Sequence, residues 1–283
     1  MADDRLIVFT GPSPRGWHRL QTFLECPQRY AWGELVGIGG FNENAPPLAK
    51  GTLVHLGLAQ HYSRMKETQQ GRDPDLYYNP TEAIDIMVEA KPQWHEFGEL
   101  AKDVVVAYVE RWKNERLKVI AVEEMLEANI GGYRFTGRMD LVYEDSQGRV
   151  WIMDHKTTGH LSGKQKKYYS VSGQILGYRW LGHLTYGERF AGLRLNMIQH
   201  GGEYRFERFD VEPAPNMYSR WPQTVVDAEE GIQRLMDSGR APDQWPMASS
   251  ELVCYHRYGP CQYVEQCKWG QATGPENKSV RTP

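Results

Sequence analysis

The chain has few cysteines, no long apolar run and almost no net charge. Four cysteines in 283 residues are too few for a disulfide scaffold. The expected compartment is therefore the reducing cytoplasm, where clustered cysteines more often bind metal. No uninterrupted apolar stretch approaches the ~20 residues that a spanning helix requires. The acidic start MADDRLIVFTGPSP does not read as a signal peptide, and no membrane partner is expected. With 33 Lys+Arg against 36 Asp+Glu, the formal charge is −3. That excludes nonspecific coating of nucleic acid but leaves room for a local basic groove. Internal repeats and low-complexity segments are missing. So are G-x-x-x-x-G-K-[ST], G-x-S-x-G, H-E-x-x-H and G-x-G-x-x-G, which removes P-loop motors, the common serine hydrolases, zincins and dinucleotide enzymes. What remains is ordinary globular composition, 40% hydrophobic and 24% charged, with ample core for one elaborated domain or two small ones.

The spacing of apolar residues predicts helices over 17–37, with Pro27 marking a break or a new first turn, over 48–68 and over 81–117. IGGFNENAPP (38–47) and QQGRDPDLYYNP read as loops. Residues 119–128 fit strand or helix. YRFTGRMDLVYE alternates, placing Tyr133, Phe135, Met139, Leu141 and Tyr143 on one parity. A DSQG turn leads to a second β-rich run, RVWIMDHKTT. Helical spacing returns at 168–184, a hairpin is expected from 189–199 and 203–211 around Gly201-Gly202, and a last helix spans 215–238. The tail after 268 is polar. This order predicts an α/β fold, a mixed sheet flanked by helices with an N-terminal helical insertion. The parts are a mainly helical 1–117, a core at 118–240, and a cysteine-rich lobe and tail at 241–283, integrated in one domain.

Residues 137–158 carry the chemistry. Alternate side chains of a strand share a face, so Asp154 and Lys156 point the same way, at the end of a strand whose Val150 and Ile152 share their parity. A hairpin brings Asp140 of the preceding strand beside Asp154. Two carboxylates forced together repel, and a bound divalent cation is the natural explanation. Hard oxygen ligands favour Mg²⁺ or Mn²⁺. A lysine beside them suits orienting a water or offsetting charge on a phosphate. Read singly, these residues are ordinary charges on a half-exposed hairpin.

G-R-M-D (137–140), D-H-K-T (154–157) and Q-I-L-G-Y (174–178) together resemble the core of the PD-(D/E)XK nuclease superfamily, and its RecB-like branch best. The resemblance implies a restriction-endonuclease-like mixed sheet and a metal-dependent deoxyribonuclease acting on DNA ends or single strands. It also implies metal ligation by Asp140, Asp154 and the backbone carbonyl of His155, with Lys156 catalytic. Gln174 and Tyr178, four apart on one helix face, take a structural or DNA-contacting role. His55, in the G-x-x-x-H of KGTLVHLGL, becomes a further ligand. Either Glu123 or Glu124 supplies an additional acid, and parity alone does not choose between them. A recombination or replication protein is an expected partner, and oligomeric state is open. A second reading is a nuclease-fold accessory protein in recombination or repair that binds DNA without cleaving it.

Cys254, Cys261 and Cys267 form C-x6-C-x5-C, with Cys26 far upstream in C-P-Q-R-Y. Four thiolates suit a [4Fe–4S] cluster or a tetrahedral zinc. Locally, Cys254, His256, Cys261 and Cys267 would also suit zinc, leaving Cys26 free. RecB-like subfamilies staple an N-terminal C-P-x-x-Y cysteine to three near the C-terminus through an iron–sulfur cluster, although their C-terminal spacing commonly starts C-x2-C. The cluster is preferred because it uses all four cysteines.

From His155 to Gly187 there is no acidic residue, whereas Lys156, Lys164, Lys166, Lys167 and Arg179 fall in that window. Beside a carboxylate site this suits a polyanion. The interleaved Tyr168, Tyr169, Tyr178 and Trp180 suit stacking on unpaired bases. Lys164, Lys166 and Lys167 are the candidate DNA contacts of that loop.

Overall fold

A computed structural model describes residues 4–37, 46–212, 214–248, 250–256 and 259–269. The loop read at 38–47 and the tail lie largely outside these. The chain opens with α1 (Trp17–Glu25) and α2 (Pro27–Tyr30), which runs on into a π-helical turn at Ala31–Leu35. Pro27 starts a new helix because it needs no N–H partner at a first turn. Cys26 caps that helix, its Sγ accepting from the Arg29 N–H at 3.4 Å.

Next come α3 (Pro46–Gln69), α4 (Pro80–Ala90) and α5 (His95–Trp112). The single helix expected over 81–117 is thus two, separated by a short turn at Pro92–Trp94. Proline forces its predecessor out of the helical region, and Lys91 accordingly has φ −129° and ψ 75°. The ambiguous stretch at 119–128 is strand β1 (Lys118–Ile130), followed by β2 (Tyr133–Glu144) and β3 (Val150–Thr158). Two helices, α6 (Gln165–Tyr169) and α7 (Gly173–Tyr186), occupy the region read as one. Strands β4 (Phe190–Gln199) and β5 (Arg205–Val211) and helix α8 (Pro215–Asp237) follow.

The five strands form one sheet in chain order. Neighbours are antiparallel except β3 and β4, which run parallel through the α6–α7 crossover. One face packs α1, α7 and α8 around Phe135, Met139, Ile152 and Leu195. The other packs α3, α4 and α5 around Leu141, Tyr143, Met153 and Ile198. Met139 and Leu141, read from their common parity as one face, therefore lie on opposite faces. The change falls at Asp140. α1 is tied across to α8 by a buried Arg19–Glu229 ion pair, with Arg19 also donating to the Tyr30 hydroxyl at 2.8 Å. No helix among the described residues is long and apolar enough to cross a membrane.

Candidate active site

Strands β2 and β3 pair over only four residues each, ending at Leu141↔Met153. Beyond that pair the ladder opens, and the next positions on the two strands are Asp140 and Asp154. The backbone N–H of His155 donates not to a strand carbonyl but to Asp140 Oδ2, at 2.7 Å. On the other side of β2, the pairs Val122↔Leu141 and Glu124↔Met139 set Glu123 opposite Asp140. Three carboxylates thus form a row across three neighbouring strands, and all three line one cavity of about 430 Å³.

Glu123 is buried and lines the cavity, whereas Glu124 is exposed. Glu123 has φ +50°, the single positive φ among the described non-glycine residues. Such a backbone persists only where its surroundings impose it. Here the Arg138 guanidinium donates to the Glu123 carbonyl at 3.2 Å. Arg138, the second letter of G-R-M-D, was not singled out by sequence; only its place two residues before Asp140 hinted at it.

Two glycines let the helices close on the site. A Cβ at Gly51 would lie 3.1 Å from Thr157 Oγ1, where α3 crosses the end of β3. One at Gly137 would lie 2.7 Å from both Leu181 and Met139, where α7 covers β2. From α3, His55 Nδ1 comes within 3.5 Å of Asp140 Oδ2. His55, Glu123 and Asp140 each offer a ligand atom within 4.8 Å of the others.

Asp154 faces the same cavity and is 2% exposed. Lys156 Nζ lies 2.8 Å from its Oδ2 and donates to its Oδ1 at 3.1 Å. Oδ2 receives no aligned hydrogen bond. Lys156 also donates to Gln174 Oε1 at 2.8 Å, and the Gln174 amide donates to the Tyr178 hydroxyl at 3.0 Å. The Gln174–Tyr178 pair thus holds the lysine, and Tyr178 itself is buried.

The charges explain the strain in this arrangement. Burial, and then the neighbouring Asp140, push the Glu123 carboxyl well above the usual carboxylate range. Burial does the same to Asp154, reinforced by Asp140 and opposed by Lys156. Burial works against the Lys156 ammonium, but Asp154 and Asp140 outweigh it and hold the lysine above its ordinary value. Even with the Lys156 ammonium and the Arg138 guanidinium lining the cavity, the Glu123 and Asp154 carboxyls stay raised. An imidazole, carboxylate oxygens and a buried oxygen without an aligned donor are a donor set that fits a hard divalent cation.

Behind the site lies a buried polar network that the sequence did not reveal. His155 stacks on Tyr62, with ring centroids 5.9 Å apart and planes 13° apart. Its Nδ1 is 2.7 Å from Asn196 Nδ2, which also reaches the Tyr108 hydroxyl at 2.9 Å. Arg208 donates to the Tyr62 and Tyr108 hydroxyls and to Glu115, at 3.0, 2.6 and 2.6 Å. Burial holds His155 well below the ordinary histidine value, hence neutral.

The four cysteines gather where α2 meets the C-terminal segment, and none is in a disulfide. Gln28 joins the two parts, with its backbone N–H on Pro246 O at 3.0 Å and its amide on Asp243 O at 2.8 Å. Cys267 Sγ donates to Gln28 Oε1 at 3.0 Å, and the Cys261 N–H to Cys254 O at 2.6 Å. Burial, with the neighbouring thiols adding to it, raises Cys261 and Cys267. No three of the sulfurs lie within 4.8 Å of one another. The His256 side chain lies outside the described residues.

Lys164 and Lys167 are exposed and the Lys166 side chain is outside the described residues. Of the aromatics read as stacking candidates, Tyr168 is exposed. Trp180 packs instead on Tyr218 and Trp221, because its position on α7 faces α8.

A fork of two strands bearing opposed carboxylates, with a lysine two residues on and helices on both faces, defines a restriction-endonuclease-like fold. The chain belongs to the PD-(D/E)XK nuclease superfamily, whose sequence model matches residues 17–268. A protein of Eubacterium rectale, provisionally named an exonuclease in its crystal structure, is similar in fold. It has a TM-score of 0.55 and 12% identity, over 95% of this chain and 90% of that one. SSO0001 is more distant, with a TM-score of 0.31 and 17% identity over 64% of this chain and 74% of that one. No curated protein matches the sequence.

Proposed function

We propose that the chain is a Mg²⁺- or Mn²⁺-dependent deoxyribonuclease of the RecB-like branch, acting exonucleolytically on DNA ends or single strands. The observation that carries this reading is the row Glu123, Asp140 and Asp154 in one cavity with a single ammonium among them. His55, Glu123, Asp140 and Asp154, with the backbone carbonyl of His155, are the residues that would hold the cation. A divalent ion there supplies Lewis acidity to a phosphate oxygen and lowers the pKa of a water.

The protein's own groups do the rest. Lys156, fixed by Asp154 and Gln174, offsets the charge that builds on the phosphate as a fifth oxygen approaches phosphorus. Asp140, fixed by the His155 N–H, keeps one oxygen aimed into the cavity. The exposed Lys164 and Lys167, and Lys166 by its sequence position, are proposed as contacts to the backbone of a DNA strand. The accessory reading gains no support from the site.

The cysteines are proposed to hold a structural [4Fe–4S] cluster that staples α2 to the C-terminal segment. The cluster is preferred to zinc because it uses all four cysteines and accounts for the proline after Cys26. Anaerobically purified protein should be brown, whereas a colourless protein with bound zinc contradicts this assignment.

The test of the activity is digestion of end-labelled single- and double-stranded DNA with Mg²⁺ or Mn²⁺, against EDTA and against Asp154→Ala. Cleavage that survives EDTA or the substitution contradicts the reading.

A further inference from the structure

The segment before α1 forms a wall of the cavity. Thr10, Gly11, Pro12 and Ser13 line it opposite α3. The segment is pinned at both ends. Toward the helical insertion, the Leu6 N–H donates to Leu76 O at 2.8 Å and the Tyr78 N–H to Leu6 O at 3.3 Å. Toward the sheet, Ser13 Oγ donates to Thr136 O at 3.1 Å, the Arg15 N–H to Thr136 Oγ1 at 3.0 Å, and the Thr136 N–H to Arg15 O at 3.2 Å. The strap therefore spans from the insertion to β2 beside the carboxylate row.

Phe9 sits on this strap and is 71% exposed, the second most exposed large hydrophobic residue described. One side of its ring is against the Arg138 guanidinium, whose carbon lies 5.0 Å from the ring centroid. That same guanidinium lines the cavity and holds the Glu123 carbonyl. The ring thus has a cation behind it and solvent in front, and it stands just outside the cavity, beside Thr10 and Arg138, which line it.

Resting on the nuclease reading above, we propose that Phe9 is a stacking platform for one unpaired nucleobase next to the phosphate at the carboxylates. A flat apolar ring backed by a cation suits the π-face of any base and is indifferent to its identity. A base within a duplex has both faces taken by its neighbours and cannot use it. Phe9 would thereby favour single strands over duplexes by binding rather than by chemistry.

The test is a binding cycle in EDTA, which separates it from cleavage. A labelled single strand is compared with a set of strands that each lack one base, using wild type, Phe9→Ala and Phe9→Trp. The proposal expects one position at which loss of the base weakens wild-type binding roughly tenfold. Phe9→Ala should weaken the intact strand by a similar factor and show no further loss at that position. Phe9→Trp should bind like wild type. Wild-type affinity in Phe9→Ala, or an undiminished penalty for the missing base in that variant, overturns the proposal. If wild type cleaves DNA yet the cycle is additive, the platform alone is wrong. If the cycle couples but no cleavage occurs, the nuclease reading alone is wrong. No strand binding by wild type removes both.

Discussion

Glu123 stands opposite Asp140 in the β1–β2 register, and its backbone is held at φ +50° by the Arg138 guanidinium on its carbonyl. This turns a carboxyl on a sheet strand into the cavity, against a second carboxyl, with the Arg138 guanidinium and the Lys156 ammonium lining the same space.

Glu123→Gln keeps the shape and removes the charge. Calorimetric titration with Mn²⁺ should show at least about tenfold weaker binding. The unfolding temperature in EDTA at neutral pH should rise, because folding no longer has to hold a carboxyl whose ionised form burial and Asp140 disfavour. Unchanged Mn²⁺ affinity would place the cation elsewhere.

Lys156→Ala should slow cleavage by about 10²-fold or more while leaving DNA binding in EDTA largely intact, as expected of a group that acts on charge in the transition state. Gln174→Ala should give a smaller loss of the same kind, since it removes one of the two groups that hold the ammonium. Turnover of Lys156→Ala equal to wild type removes the lysine from the chemistry.

The network behind the site should show in stability first. Asn196→Ala strips partners from the Tyr108 hydroxyl and His155 Nδ1, both buried. The Tyr108 hydroxyl keeps Arg208 and Tyr62, but His155 Nδ1 is left unpaired at about 1–3 kcal/mol, so urea unfolding should report a loss of roughly 1–3 kcal/mol. A loss below about 0.5 kcal/mol would mean that the network is slack.

Acid should weaken the fold through His61. Burial, and then Arg208, lower its pKa to about 4. Its folded value lies below its unfolded one, so the unfolded chain takes up the proton first. The stability this group contributes is present above pH ~6.5 and is lost as pH falls toward about 4. His61→Gln should flatten the unfolding free energy across that window by up to about 3 kcal/mol. An unaltered slope would show that another group governs it.

Much of the fold was legible because its signals are local. Proline at position 27, the alternation in β2 and the Gly201-Gly202 turn each mark their element by near neighbours. Asp140, Asp154 and Lys156 were legible because a hairpin puts them close in sequence as well as in space. Where the reading failed, the cause was not local. Pro92 divides a helix whose apolar spacing runs on through it. Met139 and Leu141 share a parity but not a face, because the β2–β3 ladder opens between them. That Glu123 and not Glu124 lines the cavity goes with a positive backbone φ and a hydrogen bond from Arg138, fifteen residues on, neither of which parity shows. Asn196, Tyr108 and Arg208 are ordinary residues in isolation, brought together only by the packing of β4, α5 and β5, and Phe9 meets Arg138 only because the strap crosses to β2.

Cys26→Ser tests the staple apart from the nuclease site. It should bleach the absorbance near ~400 nm expected of a protein-bound cluster and lower the unfolding temperature. Mn²⁺ affinity should remain, since the cysteines do not line the carboxylate cavity. Full colour in this variant would show that Cys26 is not a ligand.

The central claim is that the carboxylate row grips a divalent cation, and anomalous diffraction at the manganese edge from crystals grown with Mn²⁺ tests it most directly. The expected result is a peak bounded by His55, Glu123, Asp140 and Asp154. A map with no peak there, or with manganese bound only elsewhere on the molecule, would contradict it.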